Sequence, residues 1–424
     1  MTIDRRRFTG LLAGALGGLT LPRVREPAPG PCDPLPKTVA ALKPMTGDVH
    51  PIDATERAAR REHARRLMHE QGFGAIVLEP GASMTYFTGV SWWPSERPFL
   101  AVLPADGEPV WVCPAFEEGR ARELTGTAAE VRVWQEDESP YAVTAGVLRE
   151  RGTATGRVGF EERVRFFVSD GVRAALPAAG TAIATPVTAG CRMHKSPAEL
   201  ALMQRANDVT IAAFRATIPT LREGMTTPEF SATMSTAMVR LGGEDPWALM
   251  LFGAGSAFPH GTRELHRLQP GDIVLMDCGC AVEGYQSDIT RMTVFGKPSA
   301  RQRQVWEIER RAQDAAFKAA QVGTPCEAVD AAARKVLVDA GFGPDYRLPG
   351  LPHRTGHGIG LEGHEWTNFV RGNTTPIAPG MCFSDEPMIA IPGEFGVRLE
   401  DCLYITEQGP RFFTAQSEGL EHPV

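Results

Sequence analysis

Two acidic residues, Asp277 and Asp288, have a spacing and a context that could hold a metal ion. Asp277 follows the apolar run Ile273–Met276, which predicts a buried strand, and Asp288 begins a second strand eleven positions later. Two strands joined by a turn can lie side by side and direct both carboxylates to one point. A buried carboxylate is costly unless it is paired, protonated or bound to metal. Taken alone, the pair is better explained as structural acids bonded to backbone amides or to Arg291.

A histidine-rich loop changes that balance. Three of the ten histidines of the chain, His353, His357 and His364, fall within twelve residues of a glycine-rich segment. Glycine lets the backbone approach a bound group closely, and neutral imidazole is a strong ligand for divalent transition metals. A single histidine is most often a hydrogen-bonded polar side chain, whereas this cluster indicates a binding site.

Two glutamates further along the chain complete the candidate ligands. Glu386 ends a short apolar segment, and Glu400 begins another. Arg398 and Glu400 share one face of the second segment, because side chains alternate along a strand. Considered singly, Glu386 fits an ordinary acid at a strand end, and Glu400 fits an ion pair with a neighbouring arginine.

The elements that must position these residues form two domains. Residues 53–190 are predicted to be an α/β domain, because a helix over 53–72 is followed by short apolar strands with helical segments between them. The strands of this domain are predicted at 75–78, 99–103, 110–112 and 158–160. Residues 191–424 mix helices with antiparallel strand pairs, which predicts an α+β domain. All the candidate ligands lie in this second domain.

The second domain is predicted to open on a capped helix. Ser196 has the position of an N-cap, with Pro197 at the first helical position and Glu199 at the third. This helix is predicted to end near Pro219. Further helices are predicted at 227–241, 301–322 and 325–341, and strands at 248–252, 273–280, 289–295, 382–391 and 397–405.

The first fifty residues differ from the rest. Residues 1–22 contain a basic start and a short apolar stretch, which is typical of a signal peptide. Arg5 and Arg6 resemble the twin-arginine export signal of bacteria, which predicts a periplasmic or secreted protein. The alternative is a frayed, basic N-terminus of a cytoplasmic protein. Residues 23–52 are rich in proline and are predicted to be an extended, poorly packed linker.

Composition excludes some classes of function. The net charge of -7 and the absence of Lys/Arg runs beyond the first residues do not support nucleic-acid binding. The eight cysteines have no CxxC or zinc-ribbon spacing. Because twin-arginine cargo folds in the cytoplasm, where disulfides are disfavoured, free and mostly buried thiols are predicted.

The ordered series of ligands resembles a known family. In their local contexts, Asp277, Asp288, His357, Glu386 and Glu400 look like the ligands of the pita-bread metallopeptidases, which include methionine aminopeptidase, aminopeptidase P and prolidase. The resemblance covers roughly residues 192–406. The preceding domain resembles the creatinase-type N-terminal domain, and residues 192–200 resemble the segment that links the two domains in the proline-specific branch.

This resemblance implies a site with two divalent ions: manganese, cobalt, zinc or iron. Asp288 and Glu400 would bridge the ions, Asp277 would bind one of them, and His357 and Glu386 would bind the other. Carboxylates with one histidine suit a borderline-hard ion such as Mn²⁺ better than a thiolate site would, so Mn²⁺ is the expected ion. Two close cations can convert a bridging water to hydroxide near neutral pH, and Glu386 would carry a proton to the leaving amine.

Other residues match supporting positions of the family. His260 and His364 match residues that contact the substrate carbonyl or the tetrahedral intermediate, His353 matches a histidine of the proline-specific branch, and Arg398 matches an arginine near the substrate. A loop histidine without function is the alternative for His260. Trp92 and its neighbours resemble a loop that reaches the active site of a neighbouring subunit, which implies a homodimer or higher oligomer, or else they form an ordinary surface loop.

The predicted reaction is hydrolysis of Xaa-Pro bonds, either in dipeptides or at the N-terminus of longer peptides. One alternative is different chemistry on the same fold, such as hydrolysis of amidino or cyclic amide compounds or a metal-dependent lyase reaction of sulfonium substrates. The other is a binding protein that has lost catalysis. The complete set of five ligands argues against that last alternative.

Overall fold

The computed structural model describes residues 35–424, which contain both helices and strands. The helices are α1 Lys37–Ala40, α2 Ala54–Gln71, α3 Ala82–Thr88, α4 Glu118–Thr125, α5 Pro140–Glu150, α6 Phe166–Ala175, α7 Thr185–Arg192, α8 Pro197–Thr217, α9 Thr227–Leu241, α10 Ala300–Ala319 and α11 Cys326–Asp339. The strands are β1 Ala75–Leu78, β2 Leu100–Pro104, β3 Val110–Pro114, β4 Glu130–Trp134, β5 Arg157–Phe160, β6 Gly180–Ile183, β7 Glu244–Phe252, β8 Ile273–Val282, β9 Tyr285–Gln286, β10 Ile289–Val294, β11 Gly356–Gly358, β12 Glu365–Phe369, β13 Cys382–Asp385, β14 Met388–Ile391, β15 Phe395–Arg398, β16 Asp401–Thr406 and β17 Gly409–Phe412. Within this range, no helix has the length and apolar character needed to cross a membrane.

The N-terminal domain, α2 to α7, is built on one mixed sheet. Its six strands have the order β4-β3-β2-β1-β5-β6. Side chains alternate between its two faces: Ile76 and Leu78 pack in the core that contains residues of α2 and α7, whereas Ala75 and Val77 pack in the core beneath α5 and α6. Helices therefore cover both faces, as predicted for an α/β domain.

The C-terminal domain, α8 to β17, joins its two larger antiparallel sheets through a single bridge, and β14 pairs with β15 in a third sheet. One sheet has the order β10-β8-β7, with β9 on β8, and the other has the order β12-β11-β13-β16-β17. Thr290 on β10 and Glu400 before β16 exchange two backbone hydrogen bonds of 3.3 Å between the sheets. Residues of α8 and α9 share one core with β7 and β8, and residues of α10 and α11 share another with β13 to β16. This is the predicted α+β arrangement.

Helix α8 begins where its sequence predicts. Ser196 Oγ accepts a hydrogen bond from the backbone of Glu199 at 3.3 Å, and the Glu199 carboxylate accepts one from Ser196 N at 2.9 Å. Pro197 occupies the first turn, where its missing N–H has no cost. These bonds confirm the predicted capping box.

Two predicted strands are interrupted at candidate ligands. The predicted strand 382–391 is divided into β13 and β14 at Glu386 and Pro387, and the predicted strand 397–405 is divided at Leu399 and Glu400. Pro387 lacks the N–H that a continuous ladder needs. Conversely, Asp277 does not end its strand, because β8 continues through it to residue 282.

The predicted linker is packed where the structure describes it. Val39 of α1 and Ile52 are buried in the core that α8 and α9 share. Asp48 forms an ion pair with Arg205 of α8 at 2.7 Å. The prediction of a poorly packed segment was wrong for residues 37–52, because proline content describes the backbone and not the burial of the apolar residues between prolines. The predicted signal peptide, residues 1–22, lies outside the described residues.

A buried polar network joins the two domains. Arg60 of α2 donates to the hydroxyl of Tyr285 at 3.1 Å and lies 3.4 Å from the Glu199 carboxylate. The Tyr285 hydroxyl in turn donates to Glu199 at 2.8 Å. Opening the interface would leave these charged groups without partners in a desolvated place. Residues 37–424 accordingly form one compact unit.

The cysteines in the described part of the chain are free and buried, as predicted. They are Cys113, Cys191, Cys278, Cys280, Cys326, Cys382 and Cys402. Burial raises the pKa of the Cys278 thiol well above its usual range, with the nearby acids adding to the effect. Such thiols pack as small apolar side chains and react slowly. Cys32 lies outside the described residues.

Candidate metal centre

Two neighbouring strands and a β-bridge align two of the candidate ligands. Asp277 on β8 stands opposite Thr290 on β10, and Thr290 is bridged in turn to Glu400. Residues opposite one another in adjacent strands project to the same face of a sheet. Thr290 Oγ1 donates to the Glu400 carboxylate at 2.6 Å, which confirms this common direction.

All five candidate ligands converge on one buried place. Asp277, Asp288 and Glu400 offer oxygen atoms that lie within 4.8 Å of one another, and ligand atoms of His357, Glu386 and Glu400 lie equally close together. None of the five residues is more than 9% exposed. Glu400 is common to the two triads, so the donor set is divided into two adjoining halves.

His357 is held with one ring nitrogen toward the acids. Its Nδ1 lies 3.1 Å from the carbonyl oxygen of Gly358, which assigns the proton to Nδ1 and leaves the lone pair on Nε2. Nε2 lies 3.2 Å from Glu386 Oε1 and 3.6 Å from Asp288 Oδ2. The backbone N–H of His357 donates to Ser384 Oγ at 3.0 Å, which fixes the strand. The imidazole is therefore oriented as a ligand.

The cluster contains more negative charge than its own side chains neutralise. Burial, followed by repulsion from Glu400 and Asp277, raises the pKa of Asp288 well above its usual range. Burial and repulsion from Glu386 and Asp277 likewise raise the pKa of Glu400. Asp277 Oδ1 is buried and accepts no hydrogen bond from the described residues. Carboxylates in this state need protons or cations.

Arg398 is the buried cation beside the acids. It donates to Asp277 Oδ2, to Thr290 Oγ1 at 3.1 Å and to the carbonyl oxygen of Pro259 at 3.2 Å. The last bond anchors the loop that carries His260. Arg398 therefore fixes both a ligand and a wall of the site.

The other three candidate histidines are His260, His353 and His364. The ring of His364 lies 4.0 Å from that of His357, centroid to centroid. Burial lowers the pKa of His364 to about 4, with His357 adding to the effect, so the ring is neutral near pH 7. Burial also lowers the pKa of His353, whose Nε2 is buried without a hydrogen bond from the described residues. His260 lines a separate cavity of about 580 Å³ beside β7.

Sequence reasoning missed several residues of the site. The Thr290 hydroxyl accepts a hydrogen bond from Arg398 and donates one to Glu400. The Ser384 hydroxyl accepts a hydrogen bond from His357 N and lies 3.3 Å from Glu386 Oε1. Both lie two residues from a ligand, so strand alternation would have placed them on the ligand face.

A cavity of about 380 Å³ lies between the domains and is bordered by His364. Arg163 and Arg192 line it from the N-terminal domain, and Arg354 and Trp366 line it from the C-terminal domain. No sequence signal singled out Arg354. Burial lowers the pKa of Arg354, with Glu386 opposing the effect. Space for a small substrate thus adjoins the ligands.

The residues present fit a pair of divalent ions. Four carboxylates and one imidazole offer hard and borderline ligands without a thiolate, which suits ions such as Mn²⁺ and Zn²⁺. The unpartnered Asp277 oxygen, the raised pKa values of Asp288 and Glu400, and the free Nε2 of His357 are all accounted for by bound cations. The fold and the site together define a metal-dependent hydrolase.

The chain belongs to metallopeptidase family M24. Residues 201–407 match the model of that family, and residues 60–194 match the creatinase/prolidase N-terminal domain. The C-terminal domain therefore has the pita-bread fold, and the N-terminal domain is of the creatinase type, as the sequence predicted. The enzyme is a metallopeptidase.

Similar proteins cover most of the chain. An uncharacterized peptidase of Schizosaccharomyces pombe is 35% identical over 86% of this chain and 83% of its own. An Xaa-Pro dipeptidase of Lactobacillus helveticus is 33% identical over 82% of this chain and 94% of its own. Among solved structures, dipeptidase PepE of Mycobacterium ulcerans has a TM-score of 0.81 and 32% identity, and the match covers 88% of this chain and 99% of that one.

Proposed function

We propose that this protein is a metal-dependent Xaa-Pro dipeptidase. The observation that carries the proposal is the pair of ligand triads that share Glu400, with the His364 ring 4.0 Å from that of His357. The Lactobacillus helveticus relative is named an Xaa-Pro dipeptidase, which supports the proline preference.

The residues of the chain divide the work of hydrolysis. Asp277, Asp288, His357, Glu386 and Glu400 would hold two cations, which supply an activated water and neutralise charge on the scissile carbonyl. Glu386 carries a proton from the attacking water to the departing proline nitrogen. His364 donates a hydrogen bond to the carbonyl oxygen as negative charge develops there, a contribution of about 3 kcal/mol.

Hydrolysis of small peptides by Mn²⁺-loaded protein tests this function. Ala-Pro should be cleaved, whereas Pro-Ala and Ala-Ala should be poor substrates. Small amides and sulfonium compounds in the same screen distinguish other reactions of the fold. A protein that binds two ions and cleaves no Xaa-Pro peptide would contradict the proposal.

The cavity between the domains favours a dipeptide over a longer peptide. Arg163 and Arg192 on its wall are paired, at 2.7 Å from Glu362 and 2.5 Å from Glu365. Within residues 35–424, Arg354 has no such partner, although it is half-buried and borders His364 in the same cavity. An unpaired guanidinium is suited to bind a carboxylate. We assign it to the C-terminal carboxylate of the dipeptide.

Replacing Arg354 by methionine should selectively weaken binding of substrates with a free carboxylate. A charge-assisted hydrogen bond contributes about 1.5–3 kcal/mol, so KM for Ala-Pro should rise about 10- to 100-fold. KM for Ala-Pro amide should change little, because the amide lacks the charge.

Arg163→Met is the matched control, since Arg163 lines the same cavity but is already paired with Glu362. Its KM values for both peptides should remain near those of the wild type. An equal rise of KM for Ala-Pro and its amide in Arg354→Met would refute the assignment.

We propose Mn²⁺ as the native ion. The support is the excess of carboxylate oxygen over nitrogen among the ligands and the absence of a thiolate from the set. Metal content after expression in defined medium, measured beside activity with each ion, tests this choice against Co²⁺, Zn²⁺ and Fe²⁺.

We also propose export and self-association. Export rests on the basic and apolar pattern of residues 1–22 and is tested by locating the full-length protein and a variant with Arg5 and Arg6 replaced by lysine. Self-association rests on the loop of Trp92 and Trp93, whose rings stack at 5.4 Å while Trp93 stays 50% exposed. Solution mass with and without a Trp93→Ala change tests it.

A further inference from the structure

The segment that joins the domains forms ion pairs with Glu365, the residue that follows His364. Arg192, at the end of α7, lies 2.5 Å from Glu365 Oε1, and Lys195 lies 2.9 Å from Glu365 Oε2. All three side chains are at most 5% exposed. Arg192 also lies 2.6 Å from Glu362, just before His364. Two cations from the joining segment thus hold both ends of the short turn that carries His364.

Arg192 also connects this turn to the N-terminal domain. The second amino group of Arg192 donates to Ser83 Oγ at 3.1 Å, and Ser83 donates to Glu161 at 3.0 Å. This chain of contacts connects the C-terminal end of β5 to the loop of the metal centre. The position of that loop therefore depends on how the domains are joined.

Within residues 35–424, no hydrogen bond holds the His364 ring. The side chain is partly exposed, and its ring lies against that of His357, with a ring nitrogen within 4.8 Å of an Asp288 oxygen. Its neighbour Glu365 is by contrast anchored as an anion: burial would raise the pKa of Glu365, but Arg192 and Lys195 outweigh burial and lower it to about 2. The anchored residue therefore determines where the unanchored histidine lies.

We propose that Arg192, Lys195 and Glu365 form a positioning clamp that holds His364 over the metal centre, so that the joining segment controls the rate of the chemical step. The clamp rests on the proposed function, because His364 matters only if it contacts the substrate carbonyl. The three residues are positioning residues: Arg192 and Glu365 border the cavity but are paired with each other, and Lys195 is outside its lining.

Glu365→Gln and Lys195→Met in the full-length, Mn²⁺-loaded enzyme test the clamp. Each change should lower kcat for Ala-Pro about 10- to 100-fold, the usual effect of removing a residue that orients an active-site group. KM and the two ions per chain should be retained. Lys195→Arg keeps the charge and should stay close to the wild-type kcat.

A double-mutant cycle separates positioning from simple loss of structure. In a His364→Ala background, Glu365→Gln should lower kcat no further, because the residue that it positions is gone. An equal loss in both backgrounds would overturn the clamp. So would a wild-type kcat in both Glu365→Gln and Lys195→Met.

The matched control breaks another buried contact between the domains. Arg60→Met removes the bonds to Tyr285 and Glu199, and it should lower stability to urea while kcat stays unchanged. If kcat falls in Arg60→Met as in Glu365→Gln, a general loosening of the interface explains both and the clamp is wrong.

A crystal structure of Glu365→Gln gives a readout that does not depend on turnover. The separation of the His357 and His364 rings, now 4.0 Å, should increase. If the ring stays in place in both Glu365→Gln and Lys195→Met, the clamp fails. If instead the loaded wild type cleaves no Xaa-Pro peptide, the proposed function fails, and the ring separation still decides the clamp.

Discussion

The Asp288→Asn variant should lose turnover and yet be more stable than the wild type when both are free of metal. Asp288 belongs to two of the close ligand groups, with Asp277 and Glu400 in one and with His357 in the other. Removing its charge disrupts cation binding, so kcat should fall on the order of 10³-fold or more. This loss corresponds to several kcal/mol of transition-state stabilisation by the metal.

The gain in stability follows from repulsion in the metal-free site. Burial and the nearby acids raise the pKa of Asp288, which means that the folded protein opposes its charge. An asparagine removes that opposition, and relief of strain at an active site commonly adds about 0.5–2 kcal/mol. Added Mn²⁺ should reverse the order, because each ion present at 100 times its Kd contributes about 2.7 kcal/mol to the wild type.

Thermal unfolding with EDTA and with excess Mn²⁺ measures both effects. The matched control is Asp330→Asn, a buried acid at 2.8 Å from Arg334 and outside the ligand set. That change should destabilise the protein in both conditions, because it leaves Arg334 without its counter-charge. A metal-free Asp288→Asn protein less stable than the wild type would show that the cluster is not strained.

Arg398→Met should produce the second large effect, a loss of both stability and metal stoichiometry. Arg398 is a buried cation that contacts the ligand Asp277 and also bonds Thr290 and the carbonyl of Pro259. Its removal leaves buried acids uncompensated, which costs about 3–5 kcal/mol. The metal-free protein should therefore unfold at lower urea concentration, and kcat should fall with the number of bound ions.

Arg398→Lys distinguishes charge from geometry. Lysine restores a positive charge but cannot reach three acceptors with one planar group, so stability should recover in part and kcat should not. Arg60→Met serves again as a control, because it removes a buried arginine that contacts none of the ligands and should keep two ions per chain. Two ions per chain and a normal kcat in Arg398→Met would contradict this role.

The ligands were predictable because their signals are local. Asp277 follows an apolar run, His357 lies in a glycine-rich loop, and Glu400 follows Arg398 at strand spacing. Each of these signals was ambiguous by itself, and only the order of the five residues along the chain indicated a metal site. Thr290 was equally accessible by alternation from Asp288.

The clamp and the packing of residues 37–52 on the second domain were not predictable in this way. Arg192 and Glu365 are 173 positions apart, and nothing in either neighbourhood indicates the other. The sequence around Arg354 contains no motif that singles it out. Arg354 stands out only because, within residues 35–424, its guanidinium lines the cavity without an acidic partner. Such features depend on how the domains meet, which periodicity and capping do not describe.

The packing of Val39 and Ile52 makes the N-terminal domain an insertion. Residues 37–52 pack on the second domain, and the chain then builds α2 to α7 and returns to that domain at α8. Ile52 is therefore synthesised 150 positions (202 − 52) before Leu202, a neighbour in the same core. The entropic cost of closing a loop rises only slowly with its length. In a nascent chain, however, the apolar side chains of Val39 and Ile52 stay exposed until the inserted domain is complete and the chain returns at α8. A truncation that starts at residue 53 would remove part of the core.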